Sequence, residues 1–397
     1  MRLALAQLNP LVGDLEGNGR RILAAADRAR AAGAVLVLTP ELSLWGYPPR
    51  DLLLRPALIR HQQQVLEDLA AACPADLAVL VGMAEPAGGG GHPGLYNALA
   101  LVERGGWRVV CRKRLLPSYD VFDERRYFLP GDAPALLELP LGGRTWRLGL
   151  TICEDLWVAE DLLGGRPPGA ADPIGDLADR RLDLLLNLSA SPFGRQKGEV
   201  RQRLAARAAE RVGAPVVYLN QVGGNDELVF DGASFVLDRS GRPLLRLACA
   251  AEDLALWEPE PGEEAAAPAT PAPPAPDPWE QLLRVLVLGV RDYTGKCGFQ
   301  RALLGLSGGI DSALVAVIAT AALGPERVHA LRMPSPFSSA GSLDDAAALA
   351  GRLGLQMSTL PIAPLMEAFA AALTPALGGH RWASPRRTCS RGSGAHC

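Results

Sequence analysis

Three side chains with useful chemistry each follow a stretch that the hydrophobic pattern predicts to be a β-strand. Cys153 comes after an alternating run that begins at Thr145, Glu41 follows an apolar run that begins at Ala34, and Lys113 follows a third run. A thiol that attacks an amide carbonyl needs a base for its proton, a positive group for the developing oxyanion and an acid for the leaving ammonia. Histidine is absent from these stretches, so carboxylate and ammonium groups would have to supply those functions. The five histidines are His61, His92, His329, His380 and His396.

Each of these residues also has an ordinary structural explanation. Cys153 would fit as a small buried hydrophobe, because free cysteine is among the most buried residue types. A glutamate or lysine after a strand is most often a solvated residue at the rim of a sheet. The chain has 40 basic residues, of which only Lys113, Lys197 and Lys296 are lysines. A lysine kept among so many arginines favours a need for a compact ammonium, with chance as the alternative.

A glycine- and serine-rich segment lies between a predicted strand and a predicted helix in the second half of the chain. Glycines let the backbone approach an anion, and a helix N-terminus presents free N–H groups and a partial positive charge. No Gly-Lys-Ser/Thr follows, so the segment is not a Walker A loop. It predicts a pyrophosphate-binding loop formed by Gly305, Leu306, Ser307, Gly308, Gly309, Ile310, Asp311 and Ser312. Asp311 is a candidate for holding Mg²⁺, although the helix dipole alone also favours an acidic residue there.

The composition of the chain predicts its domain organisation. Residues 1–257 alternate strands and helices with some hairpins, which predicts a layered α/β domain with mixed sheets. Residues 258–278 are almost wholly Pro, Ala, Glu and Gly, which predicts a linker. Residues 279–380 contain the order βαβαβ, which predicts a parallel sheet of the doubly wound kind. Residues 381–397 hold no Leu, Ile or Val, which predicts a disordered tail or a segment read out of frame.

Composition also narrows the class of partner. A formal net charge of −3 gives no indication of binding to nucleic acid or to an anionic membrane, and no apolar run reaches the length of a membrane span. The seven cysteines are scattered without paired spacing, which indicates neither a disulfide framework nor a zinc site. We therefore expect a protein of the reducing cytoplasm.

The strand-end motifs resemble the nitrilase, or carbon–nitrogen hydrolase, superfamily over about residues 1–257. The resemblance implies an αββα sandwich in which Glu41 is the general base, Lys113 stabilises the tetrahedral intermediate and Cys153 forms a thioester. Glu124 matches a further glutamate that is often found beside that triad. The motifs are Thr39-Pro40-Glu41-Leu42, Arg112-Lys113-Arg114-Leu115-Leu116-Pro117 and Thr151-Ile152-Cys153-Glu154-Asp155.

Two further stretches, 117–124 and 188–193, are similar to the glutaminase branch that is attached to NAD synthetases. The resemblance implies that Tyr119, Ser191 and Lys197 contact glutamine. Lys197 would meet the carboxylate of an amino-acid substrate, although a surface charge at the start of a helix is the ordinary alternative.

The segment SGGIDS at 307–312 resembles the ATP-pyrophosphatase family, and stretches 333–339 and 342–346 resemble NAD synthetase. The combined resemblance implies a carbon–nitrogen ligase of the glutamine-dependent NAD synthetase family. Such an enzyme converts deamido-NAD, ATP and glutamine to NAD, AMP, pyrophosphate and glutamate, with Mg²⁺, and is commonly a homo-oligomer. Ser342 is also the expected N-cap of the helix that follows.

Two alternatives stay open. The first is a hydrolase that acts alone beside a non-functional second domain, and the second is a nucleotide-binding or assembly module without turnover. Both arise because the family's synthetase domain continues beyond residue 380, so we expect the second domain to be incomplete. Its last predicted helix, 363–377, would then leave an apolar face and a sheet edge unpaired, which predicts marginal stability.

Overall fold

The structure is a computed structural model that describes residues 1–88, 94–157, 171–259 and 276–375. The predicted tail at 381–397 and most of the predicted linker lie outside the described residues. Packing divides the chain into a first unit, Met1–Cys297, and a second unit, Gly298–Cys397.

The first unit is built on fourteen named strands and five α-helices in its described part. The strands are β1 (Leu3–Gln7), β2 (Leu36–Leu38), β3 (Ala78–Pro86), β4 (Leu95–Glu103), β5 (Gly106–Arg112), β6 (Ala135–Leu141), β7 (Arg144–Ile152), β8 (Leu184–Ser189), β9 (Val216–Asn220), β10 (Val222–Asn225), β11 (Leu228–Asp231), β12 (Phe235–Leu237), β13 (Pro243–Arg246) and β14 (Asp253–Trp257). The helices are α1 (Leu15–Ala31), α2 (Pro56–Ala72), α3 (Gly175–Ala178), α4 (Lys197–Val212) and α5 (Pro278–Lys296).

Two six-stranded sheets form the centre of this unit. Their strand orders are β14-β1-β2-β3-β4-β5 and β13-β12-β9-β8-β7-β6, and β10 pairs with β11 in a separate hairpin. Alternation along β1 sends each side of the strand into a different core. Leu3 and Leu5 pack between the two sheets, whereas Ala4 and Ala6 pack towards α1. The larger side chains therefore fill the space between the sheets, and alanines leave room for a helix.

Helices cover the outer faces of both sheets. Ile22 of α1 and Leu66 of α2 belong to the core on the outside of the first sheet, and Ala205 and Ala208 of α4 belong to the core on the outside of the second. The layers therefore run helix, sheet, sheet, helix. The predicted αββα sandwich is confirmed.

The strands that precede the candidate catalytic residues end on the same side of the sandwich. β3 runs parallel to β2, and β4 and β5 then alternate in direction, so β5 points the same way as β2. In the second sheet β7 and β8 are parallel. The N–H of Ala190, just past the end of β8, donates to the carboxylate of Glu41, just past the end of β2. The carboxyl ends of β2 in the first sheet and β8 in the second therefore meet at Glu41.

The second unit has the predicted βαβαβ order with three parallel strands. Its described elements are β15 (Ala302–Gly305), α6 (Ile310–Leu323), β16 (Val328–Arg332), α7 (Ala340–Leu353), β17 (Gln356–Thr359) and α8 (Ala363–Leu373). The sheet order is β15-β16-β17. Large apolar side chains are exposed on this unit, among them Leu303, Ile310 and Phe369. The marginal stability of this unit stays a prediction.

Some details differ from the sequence-based expectations. α5, assigned to the second domain from the sequence, packs on β10 and β11 and counts with the first unit. The predicted boundaries 1–257, 258–278 and 279–380 stay a prediction of domain organisation. Ser342 is not the N-cap of α7, because the hydroxyl of Ser339 occupies that position and accepts the Ser342 N–H at 3.1 Å. None of the helices in the described ranges is both long and apolar enough to cross a membrane.

Candidate active site

A buried lysine between two buried glutamates forms the centre of the site. Lys113 Nζ donates to Glu41 Oε1 and to Glu124 Oε1, each at 2.7 Å. Lys113 and Glu41 are fully buried, and Glu124 is 4% exposed. An ammonium enclosed by two carboxylates is held in place by charge-assisted hydrogen bonds that water cannot screen. The structure therefore brings Glu41, Lys113 and Glu124 together, as the motifs predict.

Glu41 is held by three donors that come from different strand ends. Asn97 Nδ2 on β4 donates to Oε1 at 2.7 Å, in addition to Lys113, and the Ala190 N–H donates to Oε2 at 2.8 Å. A carboxylate with this many donors has a fixed orientation. Only Oε2 has a single partner, which leaves it the freer oxygen to accept a proton.

Cys153 lies where β7 passes into a short 3₁₀ turn, Cys153–Leu156. Its φ of +46° is in the left-handed region, which costs a non-glycine residue about 1–2 kcal/mol. The Asp155 carboxylate stabilises the turn by accepting the Ile152 N–H at 3.1 Å. The same carboxylate accepts the N–H groups of Arg114 and Leu115 at 3.0 and 2.8 Å. Asp155 therefore ties the segment after Lys113 to the segment that carries Cys153.

Charge and burial set the protonation states in this cluster. Burial disfavours the Lys113 ammonium, but the Glu124 and Glu41 carboxylates outweigh it and hold the pKa of Lys113 well above its ordinary value. Burial, and then the Glu41 carboxylate, raises the pKa of the Cys153 thiol. Burial also raises the pKa of Glu124 to about 7, against the opposing Lys113 ammonium. The resting site therefore holds a neutral thiol beside an ammonium.

The residues predicted to contact glutamine differ in accessibility. Tyr119 is half-exposed, and its hydroxyl lies 3.0 Å from both Glu154 carboxylate oxygens. Lys197 Nζ lies 5.7 Å from the ring centroids of Phe122 and Trp157. Tyr119 and Lys197 each interact electrostatically with Cys153 and Glu154, so both lie in the neighbourhood of the thiol. A cation, a carboxylate and a phenol therefore lie near Cys153.

Ser191 is placed differently, because it is buried and its polar atoms are already bonded. Its N–H donates to Asn220 Oδ1 at 2.8 Å, and its carbonyl accepts Arg201 Nη2 at 2.7 Å. Its hydroxyl lies 3.2 Å from Arg201 Nε. The loop after β8 is therefore fixed by Arg201, and contact between Ser191 and glutamine stays a prediction.

Sequence reasoning missed Asn97, Tyr47 and Glu154. Tyr47 donates its hydroxyl to Glu124 Oε1 at 2.7 Å and is almost fully buried. Asn97 had a signal in the sequence, since it is an amide side chain directly before the apolar run at residues 98–102 of strand β4. Tyr47 had no such signal, because its contact with Glu124 spans 77 residues of chain.

The glycine-rich loop of the second unit joins β15 to α6. Gly308 has a φ of +79°, and an added Cβ would lie 2.2 Å from the Ser342 carbonyl oxygen at the start of α7. The hydroxyls of Ser307 and Ser312 lie 3.0 Å apart, and Ser312 also bonds the Gly309 carbonyl. No side chain caps α6, whose first residues, including Asp311, are exposed. The first-turn N–H groups of α6 are therefore available to an anion.

Two family models match the chain. The carbon–nitrogen hydrolase model matches residues 2–258, and the NAD synthase model matches residues 282–383. Curated relatives described as glutamine-dependent NAD(+) synthetases include proteins from Synechocystis sp., at 44% identity over 94% of this chain, and Rhodobacter capsulatus, at 42% over 95%. This chain spans 66% and 65% of the length of those relatives, just under two thirds. A relative from Thermotoga maritima is 36% identical, with 68% of its length covered.

Solved structures agree with these matches. A glutamine-dependent NAD⁺ synthetase from Acinetobacter baumannii, in complex with ADP, has a TM-score of 0.82 at 33% identity and matches 95% of this chain and 68% of its own. An amidase from Nesterenkonia sp. matches 64% of this chain and 89% of its own, with a TM-score of 0.51 at 27% identity. A relative that matches both domains supports the two-domain enzyme over a hydrolase acting alone. The chain belongs to the glutamine-dependent NAD(+) synthetase family, with a carbon–nitrogen hydrolase domain at residues 2–258.

Proposed function

We propose that this protein is a glutamine-dependent NAD(+) synthetase in which the first unit releases ammonia from glutamine and the second unit uses ATP to activate deamido-NAD(+). The observation that carries the proposal is the fully buried Lys113 ammonium held at 2.7 Å from both Glu41 and Glu124. Two buried carboxylates and one ammonium beside a thiol suit amide hydrolysis without histidine. The relatives' described activity supports the remaining half of the reaction.

The hydrolytic step uses Cys153 as the nucleophile and Glu41 as the general base. Because the pKa of Cys153 is raised, the thiol keeps its proton until the sulfur attacks the amide carbon, and the proton then passes to Glu41. Lys113 stabilises the resulting oxyanion. When the carbon–nitrogen bond breaks, Glu41 returns the proton to the departing amine, which leaves as ammonia. Water then attacks the thioester, with Glu41 again accepting a proton. As the carbon–sulfur bond breaks, glutamate is released and Glu41 returns that proton to the Cys153 sulfur, which restores the neutral thiol.

Substrate recognition follows from the charges around the thiol. Lys197 is the group for the α-carboxylate of glutamine, and the Glu154 carboxylate is the group for its α-ammonium, with Tyr119 bonded to Glu154. Ser191 is also proposed to contact glutamine, on a loop that Arg201 holds in place. Burial, and then the neighbouring Arg201 guanidinium, lowers the pKa of Lys197, and the α-carboxylate of a bound glutamine would oppose that shift.

The loop from Gly305 to Ser312 is proposed to bind the phosphates of ATP. The ADP-bound relative from Acinetobacter baumannii supports an adenine nucleotide in this family. Mg²⁺ would neutralise phosphate charge when bound. Exposed Asp311 fits the role of a single protein carboxylate on a phosphate-bound Mg²⁺, which usually takes one or two. Within the described ranges, no cluster of three or more acidic, His or Cys side chains offers a cage for the metal alone.

The proposal also includes a cytoplasmic location and a homo-oligomer. The five cysteines in the described part of the chain are free thiols, which suits a reducing compartment. The homo-oligomer rests on the resemblance to the family.

Purified protein would test the proposal with three assays in parallel. Ammonia release from glutamine, a thermal shift with ATP, and NAD formation from deamido-NAD with either glutamine or ammonium as nitrogen source should all be positive. Ammonia release without an ATP-induced shift would indicate a hydrolase acting alone. A shift without ammonia release would indicate a nucleotide-binding module and would overturn the proposal.

A further inference from the structure

Lys296, the lysine that no functional motif explains, makes a dense set of hydrogen bonds at the end of α5. Its Nζ lies within 3.1 Å of four oxygens, which belong to two side chains and two backbone carbonyls. They are Asn9 Oδ1 at 2.7 Å, Gly224 O at 2.9 Å, and Pro10 O and Asn225 Oδ1 at 3.1 Å. An ammonium has three protons, so this geometry uses its full donor capacity.

Asp292, one helical turn earlier, binds the same elements from the same face of α5. Its Oδ2 accepts Asn9 Nδ2 at 2.8 Å and the Gly224 N–H at 2.7 Å, and lies 3.5 Å from Lys296 Nζ. α5 approaches the hairpin closely here, because Gly224 lacks a Cβ and an added one would lie 3.3 Å from the Gly289 Cα. Lys296 and Asp292 therefore join α5 to the β10–β11 hairpin beside the contact between Gly224 and Gly289, and we call this set of contacts the clamp.

A continuous series of contacts leads from this clamp to the catalytic cluster. Asn225, which accepts from Lys296, donates its Nδ2 to the Tyr47 carbonyl at 3.1 Å. Gln221 accepts the Tyr47 N–H at 3.2 Å. The Tyr47 hydroxyl in turn donates to the Glu124 oxygen that also accepts Lys113 Nζ. The Tyr47 backbone is thus linked to α5 through Asn225, and the Tyr47 hydroxyl is bonded to Glu124.

We propose that Lys296 is a positioning residue for amide hydrolysis, acting through Asn225 and the Tyr47 backbone to hold the Tyr47 hydroxyl on Glu124. The proposal rests on the hydrolytic function assigned above. α5 ends at Lys296 and the second unit begins two residues later, so the clamp sits where the chain passes from one unit to the other. Lysine suits this place because a compact ammonium converges on several carbonyls, whereas a guanidinium fork does not.

The test compares the full chain with two variants of α5. Lys296→Met removes the ammonium and keeps most of the side-chain length. Val285→Ala, the matched control, loosens the packing of α5 at a buried residue that belongs to none of the contacts in this series. Both variants should lower the melting temperature. Lys296→Met alone should lower kcat for glutamine hydrolysis, by about tenfold, because small displacements of a catalytic group reduce rate steeply.

The route through Tyr47 is tested by repeating Lys296→Met in a Tyr47→Phe background. If Lys296 acts through the Tyr47 hydroxyl, the tenfold effect should shrink to less than about twofold, since coupled residues are not additive. KM should change little in either background, because the series ends at Glu124 and not at Lys197. Full additivity, a wild-type kcat in Lys296→Met, or an equal loss of kcat in Val285→Ala would overturn the proposal.

A second readout separates this proposal from the proposed function. The rate at which iodoacetamide alkylates Cys153, followed by mass spectrometry of its peptide, reports the site without glutamine. If the wild-type protein does not hydrolyse glutamine but Lys296→Met still slows alkylation, the function fails and the positioning role stands. If the wild type hydrolyses glutamine and Lys296→Met changes neither rate, the positioning role fails and the function stands.

Discussion

The two candidate sites are built in opposite ways. Lys113 and Glu41 are fully buried, and their charges are neutralised by each other and by Glu124 before any substrate arrives. The glycine-rich loop is exposed at Ser307, Gly309 and Asp311, and its serine hydroxyls bond mainly to each other and to the loop backbone. In the first site folding alone pairs the charged groups with each other, whereas the second site presents N–H groups that would gain hydrogen-bond partners from a bound anion.

The difference indicates which kind of change each site tolerates. In the buried cluster the Lys113, Asn97 and Tyr47 side chains each donate to a carboxylate oxygen, so a change of shape or charge leaves a polar group unpaired, at about 1–3 kcal/mol or more. In the exposed loop water replaces a lost partner, so side-chain changes are mild and backbone conformation matters more. We expect activity at the buried site to be sensitive to the side-chain chemistry of a substitution, and nucleotide binding at the loop to be sensitive to changes in backbone conformation.

The largest expected effect is the loss of the nucleophile. Cys153→Ala should lower glutamine hydrolysis on the order of 10⁵-fold or more, because the covalent route disappears. ATP binding should be unchanged, because the loop belongs to the other unit. Cys73→Ala is the matched control, as Cys73 is equally buried but lies at the end of α2. Retained hydrolysis in Cys153→Ala, measured by ammonia release, would refute the assignment.

The next effect concerns the shape of the positive charge. Lys113→Arg should reduce kcat nearly as much as Lys113→Ala, by about 10³-fold, because the guanidinium cannot occupy the point between Glu41 and Glu124. Lys197→Arg should change KM more than kcat, since Lys197 packs over two aromatic rings on the approach to the site. Steady-state kinetics of ammonia release separate these cases. A wild-type rate in Lys113→Arg would show that any buried cation suffices.

The sequence predicted the parts of both sites that depend on local pattern. Strands β2, β5 and β7 are readable from apolar runs, and each ends just before its catalytic residue. The loop at Gly308 could be predicted because glycines between a strand and a helix are typical of anion-binding loops. The two parallel crossovers of the second unit could be predicted because strand and helix patterns alternate along its sequence.

What the sequence did not predict depends on contacts between distant residues. Asp155 ties two strand ends by accepting N–H groups 40 and 41 residues away, and nothing local distinguishes it from the neighbouring Glu154. The packing of α5 on the first unit was missed because the helix follows the proline-rich segment. Its packing on β10 and β11 includes the contacts of Asp292 and Lys296 and a close glycine contact, none of which alters its helical pattern.

The third prediction uses the raised pKa of Glu124, which is about 7 in the folded protein against an ordinary 4.5. A carboxyl whose pKa is raised by folding contributes stability that is fully present below about pH 4.5 and is lost as pH rises through about 7. Glu124→Gln resembles the protonated form and lacks this loss. The free energy of unfolding of the variant, minus that of wild type, should therefore rise by about 3 kcal/mol between pH 4.5 and 8, so that the variant becomes the relatively more stable protein.

Denaturant unfolding at several pH values would measure this difference. Glu138→Gln is a suitable control, because Glu138 is an exposed partner of Arg147 on the β6–β7 pair. Its effect should be small and nearly constant over the same range. A pH-independent difference for Glu124→Gln would mean that Glu124 is already ionised at low pH, with Lys113 outweighing burial.

The smallest expected effect is on the exposed loop, where Gly308→Ala tests geometry alone. Alanine at a φ of +79° is strained, and its Cβ would lie 2.2 Å from the Ser342 carbonyl oxygen, so the loop must shift away from α7. ATP affinity, measured by calorimetry, should fall about tenfold because the first-turn N–H groups of α6 no longer face the phosphates together. Gly341→Ala is the matched control, since Gly341 lies in α7 one residue before Ser342 and an added Cβ meets open space. Equal affinities in the two variants would show that the close approach of Gly308 to Ser342 has no part in nucleotide binding. The loop would then not depend on backbone conformation in the way that we expect from its exposure.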